Sequence, residues 1–408
     1  MAQSFETEKE IIDIYKGRIN GPHVERMEAL GLGFVLGKRE GAKIYDMSGK
    51  AYYDCHCSGG QYVLGHRHPD MVAALREALK DLDLGNFVMI STQKGALAKL
   101  LADTAPGDLK CVVYGVGRGE SNEFAMKLVR GFTGREEIVA FKGGSHGQTG
   151  FALSASDDPQ REKMFGPLIP QIKHIPLDAA ELRKAVSDKT AAVIVEPIQS
   201  DAGVVMLPDG FLAEARKVCD QHGAALIFDE GATSLGRTGK LFECERDCVT
   251  PDILVLGRGL GGTMYPITAA VFTSRLNRFL LTHPLIHLST FGGADVGCMV
   301  AMAAIRHIVK NKLWENAEAQ GKRLLDGLSG IAAAHKDKFV GARGAGLLIG
   351  LEAVGPTAAD AYVKSLAANG VVALPAPGAP SVIRFTPPVD VTASEIDAIL
   401  AAAKAAAV

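Results

Sequence analysis

The chain has 408 residues with a formal net charge of −2 at pH 7, and 47% of its residues are hydrophobic and 22% charged. This composition is ordinary for a globular protein, and the length exceeds what one core usually supports, so we expect more than one domain. The small net charge, without a dense Lys/Arg cluster, argues against nucleic acid as a partner, and no apolar stretch approaches the roughly 20 residues of a membrane span. The amino-terminal stretch lacks the apolar core of a secretory signal and the seven cysteines are scattered, so we expect a cytoplasmic protein.

The first 60 residues combine short helices with hairpin-like pieces. Here IYD and AYYD flank MSGK, which is typical of a turn between short strands.

From about residue 70 to 280, apolar runs alternate with amphipathic helical stretches. Strands that are apolar on both faces and joined by helices indicate a mostly parallel sheet covered on both sides. The runs are CVVYGVG (111–117), EIVAFKGG (137–144), AAVIVEPI (191–198), AALIFDEG (224–231), DILVLGRG (252–259) and ITAAVFTS (267–274).

After about residue 295 the pattern changes to a long helix followed by GARGAGLLIGLEAV, the strand SVIRFTPPVD and an Ala-rich terminal helix. The sequence therefore predicts an α/β protein with a large domain built on a mostly parallel sheet and a smaller α+β domain.

Polar side chains follow the apolar runs of the predicted sheet. In an open parallel sheet, ligands bind beyond the carboxyl ends of the strands, so these side chains define a candidate site. The loop GRGESN also opens a helix, whose free N–H groups and dipole attract anions. The strand ends supply Arg118, Ser145, His146, Glu196, Asp229, Glu230 and Arg258.

These segments together resemble the class III aminotransferases, the ornithine/acetylornithine/4-aminobutyrate group of fold type I pyridoxal-phosphate (PLP) enzymes. The resemblance is carried by IFDEGATSLGRTGKLFECERDCVTPDILVLGRGLGG (227–262), STFGGADVGCMVAMAA (289–304), AMKLVRGFTGREEIVAFKGGSHGQT (125–149) and VIRFTPP (382–388). It implies a large PLP-binding-type domain over 61–295, a small domain over 296–408, and an amino-terminal segment, 1–60, that contributes to the small domain and the dimer interface. It also implies a homodimer with active sites at the subunit interface.

Several positions that contact PLP in the family differ in this chain. The Schiff-base lysine position holds Arg258, and a guanidinium stays protonated, so it cannot act as that nucleophile. Asp229 is retained as the family's partner of the pyridine nitrogen, and Thr290 as the residue that reaches the neighbouring subunit's phosphate. The other differences are Gly231-Ala232 for Val-Gln, Ser145 for the aromatic residue before His-Gly, and Gly117-Arg118-Gly119-Glu120 for the Ser-Gly-Ser/Thr-Glu phosphate turn.

From these differences we expect no cofactor, and PLP-independent chemistry such as a cyclisation, condensation or elimination on an anionic, amino-acid-like molecule. The expected substrate-binding residues are Arg258, Arg118, Thr290, Glu196 and Arg384. The expected catalytic residues, which would transfer protons, are Asp229, His146, His56 and Ser145.

Other interpretations remain open at this point. The protein could hold PLP non-covalently, in which case Gly117, Gly119, Asp229 and Thr290 would bind it, or it could be a catalytically silent paralogue that binds a metabolite. Arg258 could form a structural ion pair instead of clamping a substrate, because a buried cation needs a partner.

Cys55-His56-Cys57 has the residue types of a metal site. It lacks a second ligand cluster, so we expect no metal there. In the family this segment lies near the substrate, which makes His56 or Cys57 a candidate acid/base or nucleophile.

Overall fold

The structure is a computed structural model that describes residues 7–86, 88–257 and 259–408. Its amino-terminal part is a helical arm followed by a small sheet. In chain order the elements are α1 (Glu8–Tyr15), a π-helical turn (Lys16–Asn20), α2 (Gly21–Ala29), β1 (Leu36–Glu40), β2 (Lys43–Asp46), β3 (Ala51–Asp54) and the distorted turn α3 (Cys57–Gly60).

The middle of the chain alternates strands with helices. The elements are α4 (Pro69–Ala78), α5 (Thr92–Thr104), β4 (Leu109–Gly115), α6 (Arg118–Thr133), β5 (Glu137–Phe141), α7 (Gly150–Ala155), α8 (Pro159–Phe165), β6 (Ile172–Ile175), α9 (Ala179–Ala185), β7 (Thr190–Val195), β8 (Ile198–Gln199), β9 (Val205–Met206), α10 (Phe211–His222), β10 (Ala225–Asp229), a 3-10 turn (Glu243–Glu245), β11 (Ile253–Leu256), β12 (Thr268–Thr273) and α11 (Ser274–Thr282).

The central sheet has the order β4-β12-β11-β10-β7-β5-β6. Every residue of β5, β7, β10 and β11 is buried, because helices cover both faces. The six apolar runs all fall in this sheet, and the mostly parallel arrangement is confirmed. The structure adds that β12 runs antiparallel to both neighbours and that β6 forms an edge.

The carboxyl-terminal part is a second, antiparallel sheet packed with helices. Its elements are α12 (Asp295–Lys310), α13 (Leu313–Ala334), β13 (Phe339–Ala345), β14 (Leu348–Ala353), α14 (Pro356–Ala368), β15 (Val371–Val372), β16 (Leu374–Ala376), β17 (Ala379–Phe385) and α15 (Ala393–Ala407). The sheet order is β13-β14-β17-β16.

Strand β15 leaves this part of the chain and pairs with β3, which completes a separate sheet of order β1-β2-β3-β15. The α/β class, with a large mostly parallel sheet and a smaller α+β part, is confirmed. The division of the chain at residues 60 and 295 stays a prediction. None of the helices in the described part of the chain is both long and apolar enough to cross a bilayer.

Candidate active site

Asp229 is the last residue of β10 and lies at the carboxyl edge of the central sheet, where it is 1% exposed. Its carboxylate accepts hydrogen bonds from Asn122 Nδ2 at 2.7 Å and from the Gly231 N–H at 3.1 Å. His146 Nδ1 lies 2.9 Å from Asp229 Oδ2. Buried carboxylates need such partners, and here they hold one side of Asp229 in place.

Arg118, the first residue of α6, approaches Asp229 from the other side. Its Nε lies 2.8 and 2.9 Å from the two carboxylate oxygens of Asp229. Its Nη2 donates to Glu196 Oε1 at 2.7 Å and to the carbonyl oxygen of Ser145. The Arg118 side chain is 9% exposed, so one guanidinium is paired with two buried carboxylates.

The chain makes room for this side chain at two glycines. A Cβ on Gly231 would lie 2.4 Å from Arg118 Cδ and 2.6 Å from Nε, which is closer than packing allows. A Cβ on Gly257 would lie 3.3 Å from Arg118 Cβ. Gly231 has no positive φ, so the lack of a side chain there is explained by the space that Arg118 occupies.

Burial and charge act in opposite directions on the ionisation of this cluster. Burial alone would raise the pKa of Asp229, but the positive charge of Arg118 and the His146 hydrogen bond hold it well below its usual range. For Glu196, burial raises the pKa above the ordinary value despite the nearby guanidinium. Burial would lower the pKa of Arg118, but Asp229 and Glu196 raise it, so Arg118 stays charged.

A cavity of about 910 Å³ opens at this edge of the sheet. Among the described residues, Arg118 and Ser145 line it, whereas Asp229, Glu196 and His146 do not. Since Arg118 contacts both carboxylates, its side chain separates them from the cavity.

A second polar network forms another wall of the cavity. Ser145 Oγ donates to Asp201 Oδ2 at 2.9 Å, and Arg384 Nη1 donates to Asp201 Oδ1 at 2.5 Å and to Ser200 Oγ at 2.8 Å. Arg384 is 2% exposed, lines the cavity, and its buried Nε has no hydrogen-bond partner among the described residues. Since Arg384 lines the cavity, its guanidinium is a donor group suited to a carboxylate ligand.

The remaining sequence-predicted residues lie in different places. His56 lines the cavity, and its carbonyl oxygen accepts a hydrogen bond from Thr386 Oγ1 at 2.9 Å. His146 is 1% exposed behind Asp229, so its geometry suits positioning of that carboxylate, and direct catalysis by it stays a prediction. Thr290 is exposed outside the cavity. Arg258 lies outside the described residues.

The surroundings of Arg118 and Cys57 bear on their predicted roles, which stay predictions. Arg118, expected as an anion clamp, already has its charge balanced by Asp229 and Glu196. Cys57 is fully buried, and burial raises the pKa of its thiol well above the ordinary value, which disfavours the thiolate that a nucleophile needs.

Three contributors to this site are not among the residues predicted from the sequence: Asp201, Asn122, and the Gly231 N–H that donates to Asp229. Asp201 belongs to the stretch EPIQSDAG after β7, so its position beyond a strand end was the available signal. Asn122 lies one helical turn into α6, and no pattern in the sequence indicates that its amide reaches Asp229.

The fold is that of a fold type I protein of the PLP-dependent transferase class. The model of class III aminotransferases matches residues 26–407, and the chain belongs to that family. It is 43% identical over 331 residues to an aminotransferase of Archaeoglobus fulgidus described as uncharacterized, which covers 81% of this chain and 77% of that one.

Solved structures agree with this assignment. An ornithine aminotransferase of Toxoplasma gondii, crystallized with oxidized glutathione and with partial occupancy of PLP at its active site, has a TM-score of 0.91 and 28% identity, covering 99% of this chain and 95% of that one. Acetylornithine aminotransferase of Elizabethkingia anophelis has a TM-score of 0.85 and 28% identity, covering 98% and 99%.

The expectation that no cofactor is favoured is wrong, because the comparisons indicate PLP. The expectation was drawn from several altered contact residues. The family model nevertheless matches residues 26–407, which is nearly the whole chain. The comparisons favour the alternative of a PLP-binding aminotransferase-type protein over PLP-independent chemistry.

Among the described residues, those at the phosphate end of the site fit PLP, whereas those at the ring end do not. At the amino terminus of α6, a Cβ on Gly117 would meet open space, and the free N–H groups there suit a phosphate. At the other end, the Asp229 carboxylate is engaged by Arg118 and cannot accept a hydrogen bond from a ring nitrogen in this arrangement. The residues as arranged do not fit the ring of PLP.

Proposed function

We propose that this protein is a class III aminotransferase-type enzyme that binds PLP without a covalent bond to lysine and takes an anionic, carboxylate-bearing small molecule. One observation carries the proposal: none of the described residues that line the cavity is a lysine, while Arg384 offers its guanidinium there. The presence of Arg258 at the family's lysine position supports the same conclusion.

The residues of the cavity divide between binding and proton transfer in this proposal. Arg384, held by Asp201, binds the substrate carboxylate, because a charge-assisted hydrogen bond to a guanidinium is strong when water is excluded. His56 and Ser145 line the cavity and are the groups placed to exchange a proton with a bound molecule. Glu196 acts through Arg118 as its buried counter-ion.

PLP is expected to bind this protein without a covalent bond to the chain. Purified protein titrated with PLP is expected to show saturable binding by calorimetry, and borohydride followed by denaturation and mass spectrometry is expected to find no PLP on the chain. The reason is that a guanidinium cannot form the bond that reduction would trap.

Two results would count against this proposal. A borohydride-stable adduct on any lysine shows a covalent site, and failure to bind PLP at all removes the cofactor from the proposal.

A catalytically silent paralogue is the second candidate, because Arg118 covers Asp229. Adding amino acids to the PLP-bound protein distinguishes an enzyme from a silent paralogue. An enzyme is expected to change the absorption of bound PLP, and a silent paralogue leaves it unchanged.

We also propose a homodimer, supported by apolar side chains exposed on one chain. Leu285, Phe291 and Met89 are 67%, 53% and 66% exposed, and the two segments that carry them meet where the Asp295 N–H donates to the Leu84 carbonyl. Exposed apolar patches of this kind mark subunit contacts. Sedimentation equilibrium is expected to give twice the chain mass of 43.0 kDa, and a monomer at micromolar concentration would contradict the proposal.

A further inference from the structure

We infer that Arg118 is an internal competitor of the cofactor: its side chain occupies the cavity-facing acceptors of Asp229, and PLP engages Asp229 only when Arg118 has left it. This inference rests on the proposed function, because it concerns how the same cavity takes PLP.

The carboxylate of Asp229 is already fully engaged by hydrogen-bond donors. An ionised carboxylate offers about four lone-pair sites. Arg118 Nε contacts both oxygens, Asn122 and Gly231 each donate one hydrogen bond, and His146 Nδ1 lies at 2.9 Å. No acceptor site is left for a further donor, so a ring N–H must displace one of these partners.

The position of the cavity decides which partner can be displaced. Of the four residues that contact Asp229 through these bonds, Arg118 lines the cavity, whereas Asn122, His146 and Gly231 do not, within the part of the chain that the structure describes. A ligand that enters the cavity therefore meets Arg118 before it meets Asp229.

Arg118 keeps other hydrogen-bond partners when it releases Asp229. Its Nη2 lies 2.8 Å from Asp229 Oδ2, but it also donates to Glu196 at 2.7 Å and to the Ser145 carbonyl. The guanidinium can keep its pairing with Glu196 while Asp229 changes partner, so the exchange does not leave a buried cation unpaired.

The lack of a side chain at Gly231 is a second, independent observation that supports the inference. A Cβ at this position would overlap Arg118 Cδ and Nε, whereas the backbone there suits any residue. Gly231→Ala is therefore expected to push Arg118 away from Asp229 without removing any charge from the site.

The test measures the PLP dissociation constant of the wild-type protein, Arg118→Ala, Gly231→Ala and the double variant by calorimetric titration. We expect at least tenfold tighter binding in Arg118→Ala, and tighter binding also in Gly231→Ala. In the Arg118→Ala background, Gly231→Ala is expected to have no further effect, because the side chain it would strike is gone. Circular dichroism checks that each variant is folded.

Arg183→Ala is the matched control, because Arg183 is 53% exposed, is paired with Glu214 and is not among the described residues that line the cavity. It is expected to leave the PLP dissociation constant unchanged. Equal or weaker PLP binding in both Arg118→Ala and Gly231→Ala overturns the inference while the proposed function stands. Absence of PLP binding in every variant overturns the proposed function, and this inference with it.

Discussion

Replacing Asp229 with alanine is expected to lower the free energy of unfolding by about 3 kcal/mol or more. Asp229 is 1% exposed and pairs with the charged Arg118, and removing one partner of a buried ion pair typically costs 3–5 kcal/mol. The amide of Asn122 also loses its acceptor. Urea denaturation monitored by circular dichroism measures the effect.

The double variant Asp229→Ala/Arg118→Ala identifies the cause. If the ion pair dominates, the double variant loses less stability than the sum of the single variants, with a coupling energy of about 1–3 kcal/mol. Asp188→Ala is the matched surface control, because Asp188 is 87% exposed in its pair with His222 and should cost less than about 1 kcal/mol. A similar small loss for Asp229→Ala would show that the Arg118 pairing does not hold the site together.

Arg384→Ala is expected to weaken binding of a carboxylate probe such as 2-oxoglutarate by about 100-fold. Two charge-assisted hydrogen bonds, at about 1.5–3 kcal/mol each, account for a loss of at least this size. The Arg384 side chain lines the cavity, so a carboxylate bound there can accept hydrogen bonds from its guanidinium.

Isothermal titration of the probe against Arg384→Ala and Arg384→Lys measures this contribution. The lysine variant keeps the charge but loses the planar fork, so intermediate affinity is expected. Arg183→Ala, an exposed arginine that is not among the described residues of the cavity, is expected to change the affinity less than twofold. Unchanged affinity in Arg384→Ala would mean that the substrate carboxylate lies elsewhere.

The larger fold could be predicted from the sequence because its strands are long and apolar. The runs at 191–198 and 224–231 coincide with β7 and β10, whose residues are all buried. The edge strand β6, Ile172–Ile175, was missed because it is short and includes exposed Lys173. The antiparallel direction of β12 is set by tertiary pairing with β4 and β11, which no local pattern encodes.

The sequence predicts these residues at one edge of the sheet, and the structure brings Arg118, Ser145, Glu196 and Asp229 together there, each at or just beyond a strand end. Their pairing did not follow from the sequence. Arg118 and Asp229 are 111 residues apart, and a long arginine side chain can reach several partners at the end of a sheet. The resemblance to the family aligns Arg118 with the phosphate turn, whereas in the structure its side chain is directed to Asp229.

The cofactor expectation failed for a related reason. Altered residues at Ser145, Ala232 and Arg258 were each interpreted as a lost PLP contact, but binding energy is distributed over a site and is not a count of matching residues. In the structure, one altered residue, Arg118, occupies the carboxylate oxygens of Asp229, which is a narrower consequence than loss of the whole cofactor site.

A crystal structure of the protein soaked with PLP tests the central claim most directly. The account predicts PLP in the cavity with its ring nitrogen within hydrogen-bond distance of Asp229, with no continuous density to a lysine, and with Arg118 moved from Asp229 while still bonded to Glu196. PLP joined to a lysine, or PLP seated in the cavity while Arg118 keeps both Asp229 contacts, would contradict it.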